Sequence, residues 1–188
     1  MSIRHAILGF LSWKPASGYE IKKFLADSTW SHWSGNNNQV YTTLVQLHRE
    51  GLVTVETVQQ EKYPARKMYA IEPSGFDELR RWLVSMPELP ELRSAFHVQL
   101  AWGELLGDDD IVDLLGRYER ELEGQLLLRR ELARRGREGP SRSPREAFLW
   151  KRIDESGMAA LETELEWTRA TRAGLFDLRR RTVSGGGK

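Results

Sequence analysis

A short amphipathic helix that leads directly into a strand, a turn and a second strand is the feature that most constrains this chain. Three apolar residues of the helix recur on one face: Val40, Leu44 and Leu47. Asn36 or Asn37 is placed to cap its amino terminus, and Gly51 tolerates the left-handed backbone with which many helices end. We therefore predict a short helix with a polar, uncharged outer face.

The segment after Gly51 predicts a β-hairpin. Leu52–Val58 and Met68–Ile71 are rich enough in β-branched and apolar residues to form strands. The intervening residues Gln59–Lys67 hold one proline and three cations: Lys62, Arg66 and Lys67. A capped helix followed by a cationic hairpin is typical of a winged helix-turn-helix, a shape that fits the major groove and backbone of DNA.

Two further helices precede this unit. The first is predicted near the amino terminus, where apolar residues recur at helical spacing before Pro15: Ile3, Ile7, Phe10 and Leu11. The second begins with Ser17 and Glu20, whose spacing matches a capping box, and it runs to about Ala26. The residues from Asp27 to Asn37 are rich in Ser, Asn and Trp and are predicted to form the connecting loop.

A second, helical domain is predicted after a proline-containing linker at residues 86–90. Pro73 suits the first turn of a helix that ends before this linker. Beyond it, three segments have the pattern of long, charged, amphipathic helices: Leu92–Leu106, Ile111–Arg135 and Arg145–Arg181. One chain offers too few neighbours to cover their apolar residues, which favours a homodimer. We predict domains at 1–86 and 91–182, and a disordered tail at 183–188.

Composition excludes several classes of protein. The chain has no cysteine, which rules out disulfide scaffolds and thiolate chemistry and fits a cytoplasmic location. It also has no apolar run of about 18 residues that could span a bilayer. The net charge of +1 means that any nucleic-acid surface must come from local placement of cations rather than from bulk attraction.

Four blocks of sequence resemble the PadR-like family of transcriptional regulators. These are ILGFLSWKPASGYEIKKF at 7–24, NQVYTTLVQLHREGLV at 38–53, RKMYAIEPSGFDELRRWL at 66–83 and AFLWKRIDESGMAALETELEWTRA at 147–170. The chain departs from the family pattern at Thr42 and Pro73. The resemblance implies a mostly α fold with a small β wing, in which an N-terminal winged helix-turn-helix is joined to a C-terminal helical dimerisation domain. It also implies a homodimeric repressor that in some members releases DNA on binding a small aromatic ligand.

Candidate DNA-contacting residues follow from chemistry and placement. Amides and hydroxyls on the outer face of the third helix can donate to and accept from base edges; these are Asn38, Gln39, Thr42, Thr43 and Gln46. Cations and phenols nearby can bind phosphates; these are Tyr19, Lys22, Lys23, Tyr41, Lys62, Arg66 and Lys67. The alternative is an ordinary solvated helix face, with the two tyrosines half-buried in the core.

Four tryptophans are candidates for an aromatic ligand pocket between the domains: Trp82, Trp102, Trp150 and Trp167. The alternative is that they belong to the core of a dimer. Asp108–Asp110 is best explained by the amino terminus of a helix, so we expect no metal and no cofactor. The four histidines are scattered and no nucleophile or phosphate-loop motif occurs, so we expect no enzyme. A winged-helix adaptor that binds protein instead of DNA remains the second hypothesis.

Overall fold

The computed structural model of the chain describes residues 3–28, 37–59, 65–89, 94–134 and 141–185. These residues fall into two compact units, Met1–Leu89 and Pro90–Lys188. The predicted fold class is confirmed, since these described ranges are mostly helical and form one small antiparallel sheet. None of the helices in the described part of the chain combines the length and the apolarity needed to cross a bilayer.

The described residues of the first unit form four helices and three strands. The helices are α1 (Ile3–Leu11), α2 (Gly18–Asp27), α3 (Asn37–Arg49) and α4 (Pro73–Leu83). The strands are β1 (Ala16–Ser17), β2 (Val53–Val58) and β3 (Arg66–Ile71). This is the element order of a winged helix-turn-helix, with α3 in the place of the recognition helix.

The sheet has the order β1-β3-β2 with both pairings antiparallel. Strand β2 pairs with β3 from Val53 opposite Ile71 to Val58 opposite Arg66, as the predicted hairpin requires. Strand β3 begins two residues earlier than predicted, so Arg66 and Lys67 belong to the strand and not to the turn. Residues 60–64, which follow β2 in the sequence and include Lys62, lie outside the described residues.

Strand β1 was not predicted. It consists of two residues, Ala16 opposite Tyr69 and Ser17 opposite Met68. Two residues are too few for an alternation of apolar and polar positions to be recognisable in sequence. The strand covers the edge of β3 that β2 leaves open.

The core of the first unit lies where α1, α2 and α3 meet the sheet. Its fully buried side chains come from all three helices and from β2: Ile7, Leu8, Leu11, Ile21, Leu25, Leu44, Leu47 and Val53. The predicted inward residues of α3 are therefore confirmed, and Gly51 has the expected positive φ of 69°.

The predicted capping box at the start of α2 is also confirmed. Ser17 Oγ accepts a hydrogen bond from the Glu20 amide at 3.3 Å, and the Ser17 amide donates to Glu20 Oε2 at 2.8 Å. Because the Ser17 amide donates to this carboxylate, the pKa of Glu20 lies below its ordinary value. The start of α2 is thus fixed by an ionised side chain at neutral pH.

The second unit is built on two long helices. They are α6 (Asp108–Arg134) and α7 (Pro144–Gly185), preceded by α5 (Ala95–Ala101) and one 3₁₀ turn at Gly103–Leu105. Leu122 and Leu126 of α6 pack with Leu165 of α7. Beside them, the buried Glu119 carboxylate accepts from Arg169 Nε at 2.7 Å and lies 2.8 Å from Arg172 Nη1.

Three boundaries of the second unit differ from the prediction. Within the segment predicted as one helix at Leu92–Leu106, the described residues form α5 from Ala95 to Ala101 and then a separate 3₁₀ turn from Gly103; residues 90–93 lie outside the described residues. Asp108–Asp110 form the first turn of α6 and do not precede it, which still sets carboxylates against the positive end of the helix dipole. Helix α7 continues to Gly185 into the predicted tail, because no proline stops its propagation; residues 186–188 lie outside the described residues.

Candidate nucleic-acid interface

The exposed side of α3 carries one straight row of side chains. Residues spaced four, three and four apart lie along one line of an α-helix. The row, which we call the outer ridge, consists of Asn38, Thr42, Val45 and Arg49. All four are exposed, and the buried Val40, Leu44 and Leu47 occupy the opposite side.

The ridge includes two residues that sequence reasoning missed. Val45 is 46% exposed, and its methyl groups can contact the methyl group of thymine. Arg49 ends the ridge with a cation that can reach a phosphate. Both would have been found by following the spacing from Asn38 and Thr42 instead of searching for hydrogen-bonding residue types alone.

The predicted base-contacting residues differ in their exposure to solvent. Asn38, Gln39, Thr42 and Gln46 are exposed, whereas Thr43 is half-buried on the flank of the helix nearer the core. Thr43 is therefore the least accessible of the five predicted residues.

Gln46 belongs to a polar network that leaves α3. Its Nε2 donates to Glu50 Oε1 at 2.9 Å, and Glu50 Oε2 lies 2.5 Å from Nη2 of Arg4 on α1. The hydrogen bond from Arg4, and then that from Gln46, lowers the pKa of Glu50. Glu50 is thus an anion at neutral pH, held on both oxygens.

Both predicted tyrosines reach the surface, in different ways. Tyr19 on α2 is 66% exposed, and Tyr41 on α3 is 45% exposed. The ring of Tyr41 lies against Gly18, where an added Cβ would come within 2.6 Å of its Cε1. Glycine at position 18 thus allows α2 to approach the ring closely. Burial raises the pKa of the neighbouring Tyr69, and Tyr41 raises it further by a smaller amount.

The predicted cations lie on two elements. Lys23 on α2 is exposed and Lys22 is half-buried. Arg66 and Lys67 are both exposed on β3, and the alternation of a strand points them to opposite faces of the sheet. The positive charge of Arg66 contributes to the low pKa of Glu20, as does that of the exposed Lys14. Arg66 and Lys14 therefore place positive charge beside the start of α2; Lys14 was missed because it lies outside any helix.

The predicted tryptophan set is divided between the two units. Trp82 of α4 stacks on His5 of α1, with ring centroids 4.5 Å apart and the planes 6° from parallel. Burial lowers the pKa of His5, which Glu78 partly offsets. Trp102, Trp150 and Trp167 belong to the second unit, where Trp102 is 69% exposed and Trp150 is half-buried. The ligand pocket remains a prediction.

Trp167 takes part in an aromatic cluster with residues of α5 and α6. Phe96 stacks on Tyr118 with centroids 3.6 Å apart, and His97 lies 5.1 Å from Trp167. The Tyr118 hydroxyl donates to Glu164 Oε1 at 3.1 Å. Burial and this carboxylate raise the pKa of Tyr118 to about 12. In the described residues no three His, Cys, Asp or Glu side chains are grouped so that they could hold a metal ion.

Comparison with known families gives one match for each half of the chain. Residues 7–81 match the model of the transcriptional regulator PadR-like family. Residues 92–175 match the C-terminal domain model of the virulence activator alpha family.

Two curated relatives are similar to a segment of somewhat less than half of this chain. The negative transcriptional regulator PadR of Bacillus subtilis is 35% identical over 89 residues, which are 47% of this chain and 49% of the relative. A probable transcriptional regulator of Mycobacterium tuberculosis is 37% identical over 83 residues, 44% of each chain. The matched segment thus spans about half the length of these relatives.

Solved structures match over most of the chain. Bacillus subtilis PadR in complex with operator DNA has a TM-score of 0.81 at 24% identity, covering 92% of this chain and 98% of that one. The PadR-like regulator BC1756 of Bacillus cereus has a TM-score of 0.75 at 27% identity, covering 92% and 94%. PadR of Bacillus subtilis in complex with p-coumaric acid has a TM-score of 0.74 at 23% identity, covering 92% and 98%.

Proposed function

We propose that this chain, which belongs to the PadR-like family of transcriptional regulators, is a sequence-specific DNA-binding repressor. The family and the curated relatives are regulators of transcription and not enzymes. The observation that carries the proposal is the outer ridge of α3, which presents an amide, a hydroxyl, two methyl groups and a guanidinium in one row. A regulator of this kind would act on chromosomal DNA in the cytoplasm.

The chemistry of the ridge suits the major groove. Asparagine can bind adenine through two hydrogen bonds, threonine can donate or accept, and valine can contact thymine. The central residues of the ridge carry no charge, so groove entry would not require the desolvation of an ion there. Gln39 and Gln46 flank the ridge and extend the set of polar contacts.

The cations around the ridge suit the phosphate backbone. Arg66 and Lys67 stand on the wing strand, and Lys23 stands on α2. Contacts of this kind set the register of the protein on DNA and release condensed counterions, which makes affinity depend on salt. Lys14 and Arg49 extend the predicted phosphate-binding set.

We further propose a homodimer that binds a palindromic operator, with residues 1–86 binding DNA and residues 91–182 dimerising. Large apolar side chains on α6 and α7 are more than half exposed in the single chain: Leu127, Leu128, Phe148, Leu149 and Leu178. Such residues favour burial against a second copy. Two copies related by a two-fold axis would present two α3 helices to two half-sites.

The test is titration of the full chain against duplexes from its own promoter region at several salt concentrations. Replacing Arg66 and Lys67 together by alanine is expected to lower affinity about ten-fold or more and to reduce the slope of log affinity against log salt by about 0.9 per chain if one of the two side chains contacts a phosphate, or about 1.8 if both do. The matched control replaces Arg80 and Lys151, two exposed cations elsewhere, and should change neither quantity.

The same titration measures the stoichiometry of the complex, which is expected to be two chains per duplex. Affinity that is equal at low and high salt, or that is untouched by the Arg66 and Lys67 substitutions, would contradict phosphate-anchored binding. Passage of the wild-type chain through a heparin column at moderate salt would favour the winged-helix adaptor instead.

A small planar aromatic effector is the second part of the proposal. The partly exposed indole of Trp167 beside Phe96 and His97 offers a stacking surface for such a ligand. One structural relative is a complex with p-coumaric acid, which makes that compound the first probe. We expect p-coumaric acid or a related planar aromatic to change tryptophan fluorescence and to release bound DNA, with both effects reduced by Trp167→Ala. Fluorescence that stays constant across such a panel would contradict an effector.

A further inference from the structure

A chain of four polar side chains connects the recognition helix to α1 and α4. We call it the Arg4 network; its members are Gln46, Glu50, Arg4 and Glu78. Arg4 lies between the two carboxylates, with Nη2 2.5 Å from Glu50 Oε2 and Nε 3.6 Å from Glu78 Oε1. At its far end Glu78 is also 2.9 Å from Arg81 and 3.5 Å from His5. The network thus spans α3, α1 and α4.

The network fixes which end of the Gln46 amide faces Glu50. An ionised carboxylate only accepts hydrogen bonds, so the group that faces Glu50 Oε1 at 2.9 Å must be the NH₂ group of Gln46. Among the described residues no donor is assigned to the amide oxygen of Gln46. That oxygen, with one remaining hydrogen of the NH₂ group, is what Gln46 can offer to a ligand.

Arg4 holds the Glu50 carboxylate where it can accept the hydrogen bond from Gln46. Glu50 lies at the exposed end of α3, where a lone glutamate side chain would sample several rotamers. The Arg4 guanidinium occupies its second oxygen and also balances a negative charge that would otherwise stand close to the phosphates of bound DNA. Arg4 is itself only partly exposed and is anchored on its other side by Glu78.

We propose that Arg4 is a positioning residue for base recognition, which through Glu50 sets the Gln46 side chain as a hydrogen-bond acceptor toward the major groove. This inference rests on the proposed function and adds a specificity determinant to it. The amide oxygen of Gln46 can accept from the amino groups of adenine and cytosine and is mismatched with the carbonyl oxygens of guanine and thymine, while the remaining NH₂ hydrogen can donate to N7 of adenine. One position of each half-site is therefore expected to prefer adenine or cytosine on the strand that Gln46 contacts.

The free protein provides the first test, in which no DNA is present. In nuclear magnetic resonance spectra of the full chain, the two proton shifts of the Gln46 side-chain NH₂ are expected to differ from those of a solvated glutamine, and exchange of these protons with water is expected to be slowed. Arg4→Ala should bring both toward the values of a solvated glutamine, and Arg4→Lys should restore them in part. Arg81→Ala is the matched control, since it removes one cation from the far end of the network without touching Glu50. Equal spectra for the wild type and Arg4→Ala would overturn the inference.

The second test measures base preference, which a merely structural role would not alter. Duplexes selected from a random pool by the wild-type chain are compared with those selected by Gln46→Ala, to find the position that Gln46 reads. At that position a preference of about ten-fold is expected to fall to about two-fold in Arg4→Ala, while other positions keep theirs. In the Gln46→Ala background, Arg4→Ala should cause no further loss of preference, because both substitutions remove one interaction.

The outcomes separate this inference from the proposed function. A uniform loss of affinity in Arg4→Ala, with base preference retained at every position, would overturn the inference and leave the DNA-binding proposal standing. The same holds if Gln46→Ala changes no base preference. A wild-type chain that selects no sequence would overturn both.

Discussion

Replacing Gly75 by alanine is expected to lower the free energy of unfolding of the first unit by about 1–3 kcal/mol. An added Cβ at Gly75 would lie 2.3 Å from the carbonyl oxygen of Leu52 and 2.8 Å from Ile71 Cγ1. The first of these atoms belongs to the backbone and cannot rotate away. Helix α4 would therefore have to move away from Leu52 and Ile71.

The contacts around Gly75 explain why such a movement is costly. The Glu72 amide donates to the Leu52 carbonyl oxygen at 3.0 Å, and Ser74 Oγ donates to the carbonyl oxygen of Gly51 at 2.7 Å. Both hydrogen bonds attach the start of α4 to the turn that follows α3. A displaced α4 would leave acceptors of this turn without their donors, at a cost of about 1 kcal/mol each.

Gly9→Ala is the matched control for this substitution. Gly9 lies within α1, and an added Cβ there would meet nothing within 4 Å. Because alanine favours a helix interior over glycine by about 1 kcal/mol, this variant is expected to be slightly more stable than the wild type. Urea unfolding of the full chain, followed by circular dichroism, compares the two. A Gly75→Ala midpoint at or above that of the wild type would show that α4 adjusts without cost.

Val45→Glu is expected to reduce DNA affinity by about 100-fold or more while leaving the fold intact. Val45 is near the middle of the outer ridge, so a carboxylate there would approach the phosphates of both groove walls. Placing like charges together across an interface costs several kcal/mol, and each 1.4 kcal/mol is a factor of about ten in affinity. Because the side chain is 46% exposed, its replacement removes little from the core.

Val45→Thr separates charge from shape at this position. Threonine has nearly the shape of valine, keeps one methyl group and brings no charge, so its affinity is expected to stay within a few-fold of the wild type. Binding is measured by fluorescence anisotropy with a labelled duplex, and thermal unfolding confirms that both variants are folded. If Val45→Glu bound as tightly as Val45→Thr, the centre of the outer ridge would not face DNA.

The parts of the fold that sequence predicted are those determined by neighbours along the chain. The capping box of Ser17 and Glu20, and the end of α3 at Gly51, depend on residues within a few positions of each other. Strand β1 depends on Ala16 meeting Tyr69, a partner far along the chain, and two residues leave no periodic signal. Local chemistry could therefore predict the helices and the hairpin, but not the third strand.

The candidate interface likewise has contacts that sequence spacing predicts and contacts that only the folded chain shows. The exposed side of α3 followed from helical periodicity, and Gln46 with Glu50 is a pair at the spacing at which side chains meet on a helix. The approach of Arg4 to Glu50 brings together two helices separated by α2, and only the folded chain shows it.

Ser17 takes part in two elements at once, as a residue of β1 opposite Met68 and as the cap of α2. Ser17 thus links β3, the middle strand of the sheet, to the first turn of α2. A movement of β3 relative to α2 would therefore break either the strand pairing or the capping hydrogen bonds of Ser17. The placement of Arg66 and Lys67 relative to α2 is then set in the free chain. For the DNA binding proposed above, such preorganisation means that little conformational freedom is lost on binding, and more of the contact energy remains for discrimination between sequences.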